Sequence, residues 1–225
     1  MVTMKRLFEN VEAVLFDLDG TLVETNIDFP LMRTEMLRMA VEAGISEQNL
    51  PDMDILGIVE YVEETLGAER GPRFRERAFQ ALEEIELRHS KDTREVEHAR
   101  ELIDALKARG ARVGIVTRNC GPASRMSLRI TGLSPDLLLS REDVRKTKPH
   151  PEQLISALAL LNAAAERSVM VGDHVMDITA GKAAGMFTIG LLTPSREPGF
   201  FDSVQPDEVV RNLKEILDAV VDSDS

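Results

Sequence analysis

The sequence contains no tryptophan, a single cysteine and only 4% aromatic residues. With so few rings it offers no evident platform for stacking nucleic-acid bases. The lone Cys120 excludes an intramolecular disulfide and fits a reducing compartment. Positive charge is scarce as well: 27 Lys and Arg face 39 Asp and Glu, for a net charge of −12. Such a surface repels nucleic-acid phosphates and anionic lipid, so neither a nucleic acid nor a membrane is expected as a partner. It also means that a site for a phosphorylated substrate needs local cations of its own. No apolar run is long enough to span a bilayer, and Glu9, Asn10 and Glu12 interrupt any signal-peptide core after residues 1–6. A cytoplasmic protein is the expectation.

What is present argues for a folded chain. Hydrophobic residues make up 43% of the 225, enough for a sizeable core. Short apolar runs at 13–16, 113–116, 137–139, 169–171 and 187–192 end respectively at Asp17, Thr117, Ser140, Gly172-Asp173 and Thr193. Continuous apolar runs of this length suit strands buried on both faces of a parallel sheet. Helical patterns lie between them. Val96, Ala99, Ile103 and Leu106 mark one face before Gly110; Leu154, Leu158 and Leu161 mark another after Pro151; Val209, Leu213, Ile216 and Val220 mark a last helix after Pro206. Strands alternating with helices predict a doubly wound α/β core.

The rhythm breaks between Leu22 and about Thr93, where helix patterns occur without a convincing strand. Pro30 opens a helix whose apolar face includes Leu37, Ala40 and Val41, and Gly44 closes it; further helices are predicted over 53–66 and 72–88. The expected organisation is an α/β core from 1–22 and 93–225 with an inserted helical domain at 23–92. Residues 222–225, Asp-Ser-Asp-Ser, are expected to fray. Met32, Met36 and Met39 share one helical face and suit core packing. Arg70, Arg73, Arg75 and Arg77 read as a solvated basic face.

Four polar segments stand at the C-terminal edge of the predicted sheet, where open parallel sheets bind ligands. Asp17-Leu18-Asp19-Gly20 sets two carboxylates two residues apart just beyond a strand. One carboxylate can attack a charge-neutralised phosphorus, and a second can protonate the leaving oxygen and then activate water. By itself an Asp-Gly pair favours an ordinary turn. Thr117 offers a hydroxyl at a strand end, and Lys148, in Lys-Thr-Lys-Pro-His-Pro, a cation for phosphate; alone, each fits an ordinary loop. Asp173 and Asp177 add two carboxylates after another strand. Hard oxygen donors with room for water suit Mg²⁺, and without a metal such packing is costly. Cys120, His150 and His174 are weaker candidates, and zinc is disfavoured by the carboxylate set.

Taken in order, Asp-Leu-Asp-Gly-Thr-Leu at 17–22, Thr117, Lys-Pro-His-Pro at 148–151 and Gly-Asp-x-x-x-Asp at 172–177 resemble the phosphatases of the haloacid dehalogenase-like hydrolase superfamily. Ala180-Gly181 and Ala184-Gly185-Met186 extend the likeness through most of the core. The resemblance implies Asp17 as nucleophile and metal ligand, and Asp19 as acid/base with its backbone carbonyl on the metal. It implies Thr117 and Lys148 as holders of the phosphoryl group, Asp173 as a Mg²⁺ ligand, and Asp177 as support for the metal site or for Lys148. The helical insert would be a mobile cap that closes over the substrate. Arg118, Asn119 and Arg33 are candidate substrate contacts.

The same comparison separates chemistries. Dehalogenase relatives lack a carboxylate where Asp19 stands. Phosphonate-cleaving relatives need a cap lysine, and none occurs between Lys5 and Lys91; sugar phosphomutases often carry a histidine early in the cap, and the first here is His89. Glu24-Thr25 in place of Asp-Ser, and Arg118-Asn119 after Thr117, bear on the substrate rather than on the reaction. The resemblance thus implies Mg²⁺-dependent hydrolysis of a small phosphorylated metabolite, with phosphoglycolate as the leading candidate. A nucleotide or sugar phosphatase is the first alternative; a phosphomutase or a non-catalytic phosphate-binding protein ranks lower. The sequence does not specify an oligomeric state.

Overall fold

The computed structural model describes residues 4–46, 48, 50–194 and 196–221, so the expectation of fraying at 222–225 lies outside the described residues. The chain forms two compact units: one from the chain up to Thr25 and from Thr93 onward, the other from Asn26–Asp92.

The first unit is built on six strands: β1 (Ala13–Phe16), β4 (Arg112–Val116), β5 (Leu137–Leu139), β6 (Ser168–Gly172), β7 (Phe187–Leu191) and β8 (Glu208–Val210). They lie in the order β5-β4-β1-β6-β7-β8, and every pairing is parallel. The core chain first builds outward from β1 through β4 to β5. It then returns to lay β6 on the other side of β1, so the strand order reverses at β1. That reversal opens the crevice at the strand ends where doubly wound sheets place their ligands.

Side chains alternate across the sheet with period 2. Val14, Phe16, Val169 and Val171 share one cluster with helices α1 (Met4–Phe8), α4 (Ala99–Ala108) and α8 (Leu213–Val221). Ala13, Leu15 and Met170 share the other with α6 (Glu152–Leu161) and α7 (Val175–Ala183). Burial on both faces explains why these strands read as unbroken apolar runs. One further helix, α5 (Gly121–Thr131), follows β4. A two-residue antiparallel ribbon, β2 (Val23–Glu24) with β3 (Arg94–Glu95), joins the segments where the chain leaves and re-enters this unit.

The second unit is helical. In α2 (Phe29–Glu42), Asp28 caps the start by accepting from the Leu31 N–H at 2.8 Å. The long α3 (Ile55–His89) breaks at Gly67, whose φ of 71° is outside the helical range, so it is two helices in succession. Met32, Met36 and Met39 are buried against Val59, Val62, Phe74 and Leu82, as core packing requires. Arg75 does not belong to a solvated face: it pairs with Glu63 at 2.9 Å and lies over the Phe79 ring. Arg70, Arg73 and Arg77 line a pocket of about 330 Å³ with Met39, Leu66 and Phe74.

Two sequence expectations need correction. The pattern Val209, Leu213, Ile216, Val220 predicts one helix, yet Val209 lies in β8 and is 47% exposed. The open ladder edge of β7 recruits 208–210 as a strand, and three residues are too few to display their own period. In α2, Val41 is 50% exposed, and the methionines rather than Val41 form the inner face.

The sheet packing gives a direct test. Leu102 in α4 is fully buried, whereas Ile155 in α6 is 52% exposed. Leu102→Ala is expected to lower the unfolding free energy by about 2–4 kcal/mol in urea, and Ile155→Ala by less than about 1 kcal/mol.

Candidate active site

Three neighbouring strands deliver the site. Asp17 follows β1, Thr117 follows β4 and Asp173 follows β6, each at the C-terminal end of its strand. The Asp17 N–H continues the ladder by donating to the Val171 carbonyl at 2.9 Å. The loop beyond closes on itself: the Gly20 N–H donates to the Val23 carbonyl at 2.8 Å and the Val23 N–H to the Leu18 carbonyl at 3.0 Å. Gly20 has φ +82°, and a Cβ there would lie 2.6 Å from Asp173 Oδ2. Both the turn and the approach of Asp173 therefore require glycine.

Lys148 is the hub. Its ammonium donates to Asp17 Oδ1 at 2.6 Å, to Asp177 Oδ1 at 2.6 Å and to the Val116 carbonyl at 2.8 Å. Its side chain is 1% exposed. Burial acts to lower the lysine pKa, but Asp17 and Asp177 outweigh it and hold the ammonium above its ordinary value. Asp177 Oδ2 is occupied too, accepting from the His174 N–H at 3.0 Å and so capping α7. Gly172 lets this happen, since a Cβ there would lie 2.3 Å from that same Asp177 oxygen. Asp17 differs from Asp177. It is 14% exposed, and its only side-chain hydrogen bond among the described residues is the one from Lys148 to Oδ1, which leaves Oδ2 open.

One carboxylate oxygen from each of Asp17, Asp173 and Asp177 lies within 4.8 Å of the other two. Burial, opposed by Lys148 and reinforced by Asp177 and Asp173, pushes the Asp17 carboxyl up to about 8. Asp173 is raised by burial and by Asp177, against the pull of Arg196. This crowding of hard oxygen donors is the condition that a bound divalent cation relieves. The residues therefore fit a divalent metal, which Asp17 and Asp173 could hold, Asp177 being already committed to Lys148 and to its helix cap.

The remaining candidates are also accounted for. The Asp19 carboxylate accepts hydrogen bonds from the Thr25 hydroxyl and the Asn119 side-chain amide. Thr117 is buried, and its hydroxyl accepts from the Asn119 N–H at 3.1 Å. Arg118 reaches the Met176 sulfur. Arg33 belongs to the helical unit, where it donates to the Met53 carbonyl and lies 3.7 Å from Asp52. Cys120 is buried and caps α5 through its sulfur, a structural role. His150 is exposed, and its Nδ1 accepts from the Glu152 N–H at 3.2 Å. His174 caps α7.

Sequence reading misses the residues that hold this arrangement. Buried Gln153 donates through Nε2 to the Thr117 carbonyl at 2.9 Å, and buried Arg141 donates through Nη1 to the Arg118 carbonyl at 3.4 Å. Arg196 Nη2 lies 3.2 Å from Asp173 Oδ2. Each lies away from the motif residue it supports, and a polar residue in a loop or an amphipathic helix carries no mark of its partner. For Gln153 a signal exists: an uncharged amide sits where the helix pattern demands an inward-facing position, one residue before Leu154.

A doubly wound parallel sheet whose strand-end crevice gathers three carboxylates, two of them paired with a buried lysine, defines a metal-compatible hydrolytic centre. The chain belongs to the haloacid dehalogenase-like hydrolase family, whose model it matches over residues 14–191. It is 31% identical over 222 residues to the pyrophosphatase PpaX of Listeria innocua, covering 95% of this chain and 98% of that one. Among solved structures it resembles a protein described as a predicted phosphoglycolate phosphatase from Haemophilus somnus, with a TM-score of 0.61, 21% identity and coverage of 92% and 97% of the two chains. It also resembles the HAD-hydrolase YfnB of Bacillus subtilis bound to magnesium, with a TM-score of 0.57, 21% identity and coverage of 94% and 99%.

The hub can be tested without substrate. In EDTA, Lys148→Met deprives the Asp17 and Asp177 carboxylates of their buried counter-charge and is expected to cost about 3–5 kcal/mol of unfolding free energy in urea. A loss below about 1 kcal/mol would show that the ammonium is not the centre of this network.

Proposed function

We propose that the protein is a Mg²⁺-dependent phosphatase that works through an aspartyl-phosphate intermediate on Asp17. The observation that carries this reading is the contrast between the two carboxylates on Lys148: Asp177 has both oxygens engaged, whereas Asp17 keeps one oxygen open. The open oxygen attacks phosphorus, and the bond from phosphorus to the leaving oxygen breaks. Lys148 and the hydroxyl of Thr117 hold the phosphoryl oxygens as charge shifts onto them. Asp19, held in place by Thr25 and Asn119, protonates the leaving oxygen. In the second half, Asp19 takes a proton from the water that attacks the aspartyl phosphate, which restores the Asp17 carboxylate. The divalent ion, when bound at Asp17 and Asp173, supplies charge neutralisation to the phosphoryl group.

The substrate is a small phosphorylated metabolite. The full-length likeness to a protein named as a pyrophosphatase favours inorganic pyrophosphate. Phosphoglycolate is the second reading, favoured by the name of one structural neighbour that shares 21% identity. The helical unit is assigned the role of a cap that selects among leaving groups, because the core residues account for phosphoryl transfer and leave the leaving group unread.

Phosphate release should require magnesium and stop in excess EDTA. On a panel of pyrophosphate, 2-phosphoglycolate, sugar phosphates and nucleotides, pyrophosphate should give the highest kcat/KM; a higher value for phosphoglycolate would move the assignment to the second reading. Asp17→Asn should keep its circular dichroism spectrum and lose turnover by more than about 1,000-fold. Near-normal turnover by that variant would exclude Asp17 as the nucleophile.

A further inference from the structure

Arg196 stands apart from every signature segment, in the turn between β7 and β8, yet it reaches the centre of the acidic cluster. Lys148 pairs with Asp17 and Asp177, and among the described residues it makes no hydrogen bond or ion pair to Asp173. The ion-pair partner of Asp173 is Arg196, whose Nη2 lies 3.2 Å from Oδ2. We propose that Arg196 is a built-in competitor for the metal at Asp173, a tethered cation that neutralises this carboxylate when the ion is absent and gives it up when the ion binds. The inference rests on the reading of Asp173 as a metal ligand.

Three features support competition over a permanent brace. The contact runs through one guanidinium nitrogen, whereas Arg–carboxylate pairs built for strength are bidentate. Arg196 Nε is buried without a hydrogen-bond partner, so the fork is not seated in a fully matched site. The guanidinium also has a second support, since its Cζ lies 4.5 Å over the Phe200 ring. Phe200 in turn packs edge-on against His174, the residue next to Asp173, with ring centroids 5.9 Å apart. The arginine therefore keeps a partner on either side of the exchange, and leaving Asp173 does not strand it.

The physical consequence is linkage. A cation that must leave Asp173 lowers the apparent affinity for the ion by the strength of the pair it breaks. It also stabilises the metal-free protein, because an unpaired Asp173 faces Asp177 and Asp17 across a crowded site. Metal affinity and metal-free stability are thus expected to move in opposite directions when Arg196 is neutralised.

Calorimetric titration of the full chain with magnesium chloride, after EDTA treatment and buffer exchange, tests this directly. Arg196→Gln, which keeps much of the side-chain length without the charge, should bind the ion about fivefold more tightly than the wild type. Arg196→Lys, which keeps the charge, should stay near the wild-type Kd. In EDTA, Arg196→Gln should melt below the wild type, and magnesium should raise its Tm by more. Magnesium binding by the wild type with unchanged or weaker binding by Arg196→Gln would overturn this inference alone. No binding by any of the proteins would overturn it together with the metal reading on which it rests.

Discussion

The ammonium of Lys148, shared between Asp17, Asp177 and the Val116 carbonyl, is the contact on which the site depends. It ties the loop after β1, the end of β4 and the start of α7 to a residue delivered from beyond β5. Without that cation, three carboxylates would approach within 4.8 Å in a largely buried pocket, an arrangement that desolvation and like charge oppose. The sheet makes the approach possible: β1 has β4 on one side and β6 on the other, so residues 17, 117 and 173 arrive side by side from distant parts of the chain. Glycines at 20 and 172 then remove the Cβ atoms that would otherwise occupy the places of Asp173 and Asp177.

The same contact accounts for the division of labour among the carboxylates. Asp177 is consumed by structure, holding Lys148 with one oxygen and the start of α7 with the other. Asp17 shares the lysine but keeps an oxygen open, and Asp19 is turned to Thr25 and Asn119. In a chain with a net charge of −12, crowded acids need cations close by, and here Lys148 and Arg196 are set directly among them.

Much of this is written locally in the sequence. The runs at 13–16 and 137–139 coincide with β1 and β5, because a strand buried on both faces carries no polar interruption. The carboxylate and lysine motifs are visible because their chemistry demands particular residue types at fixed spacing. Less legible are the parts decided by distant partners. The ribbon of β2 and β3 has two residues on each side, too few for any period. Strand β8 hides within a helical pattern because the edge of β7, not its own sequence, makes it a strand. Gln153, Arg141 and Arg196 escape notice for the same reason: each acts on a backbone carbonyl or carboxylate that only the fold brings near.

Phosphorylation of Asp17 is the central step of the proposed reaction. The most direct measurement is to mix the Asp19→Asn variant with p-nitrophenyl phosphate and magnesium, quench in acid within the first turnover, digest, and locate any added phosphoryl group by tandem mass spectrometry. An aryl ester needs little help from the acid, so the first step should proceed while hydrolysis of the intermediate lags. One phosphoryl group is expected on Asp17, appearing with a burst of nitrophenolate. A phosphoryl group on another residue, or a burst with no phosphorylated protein, would contradict it.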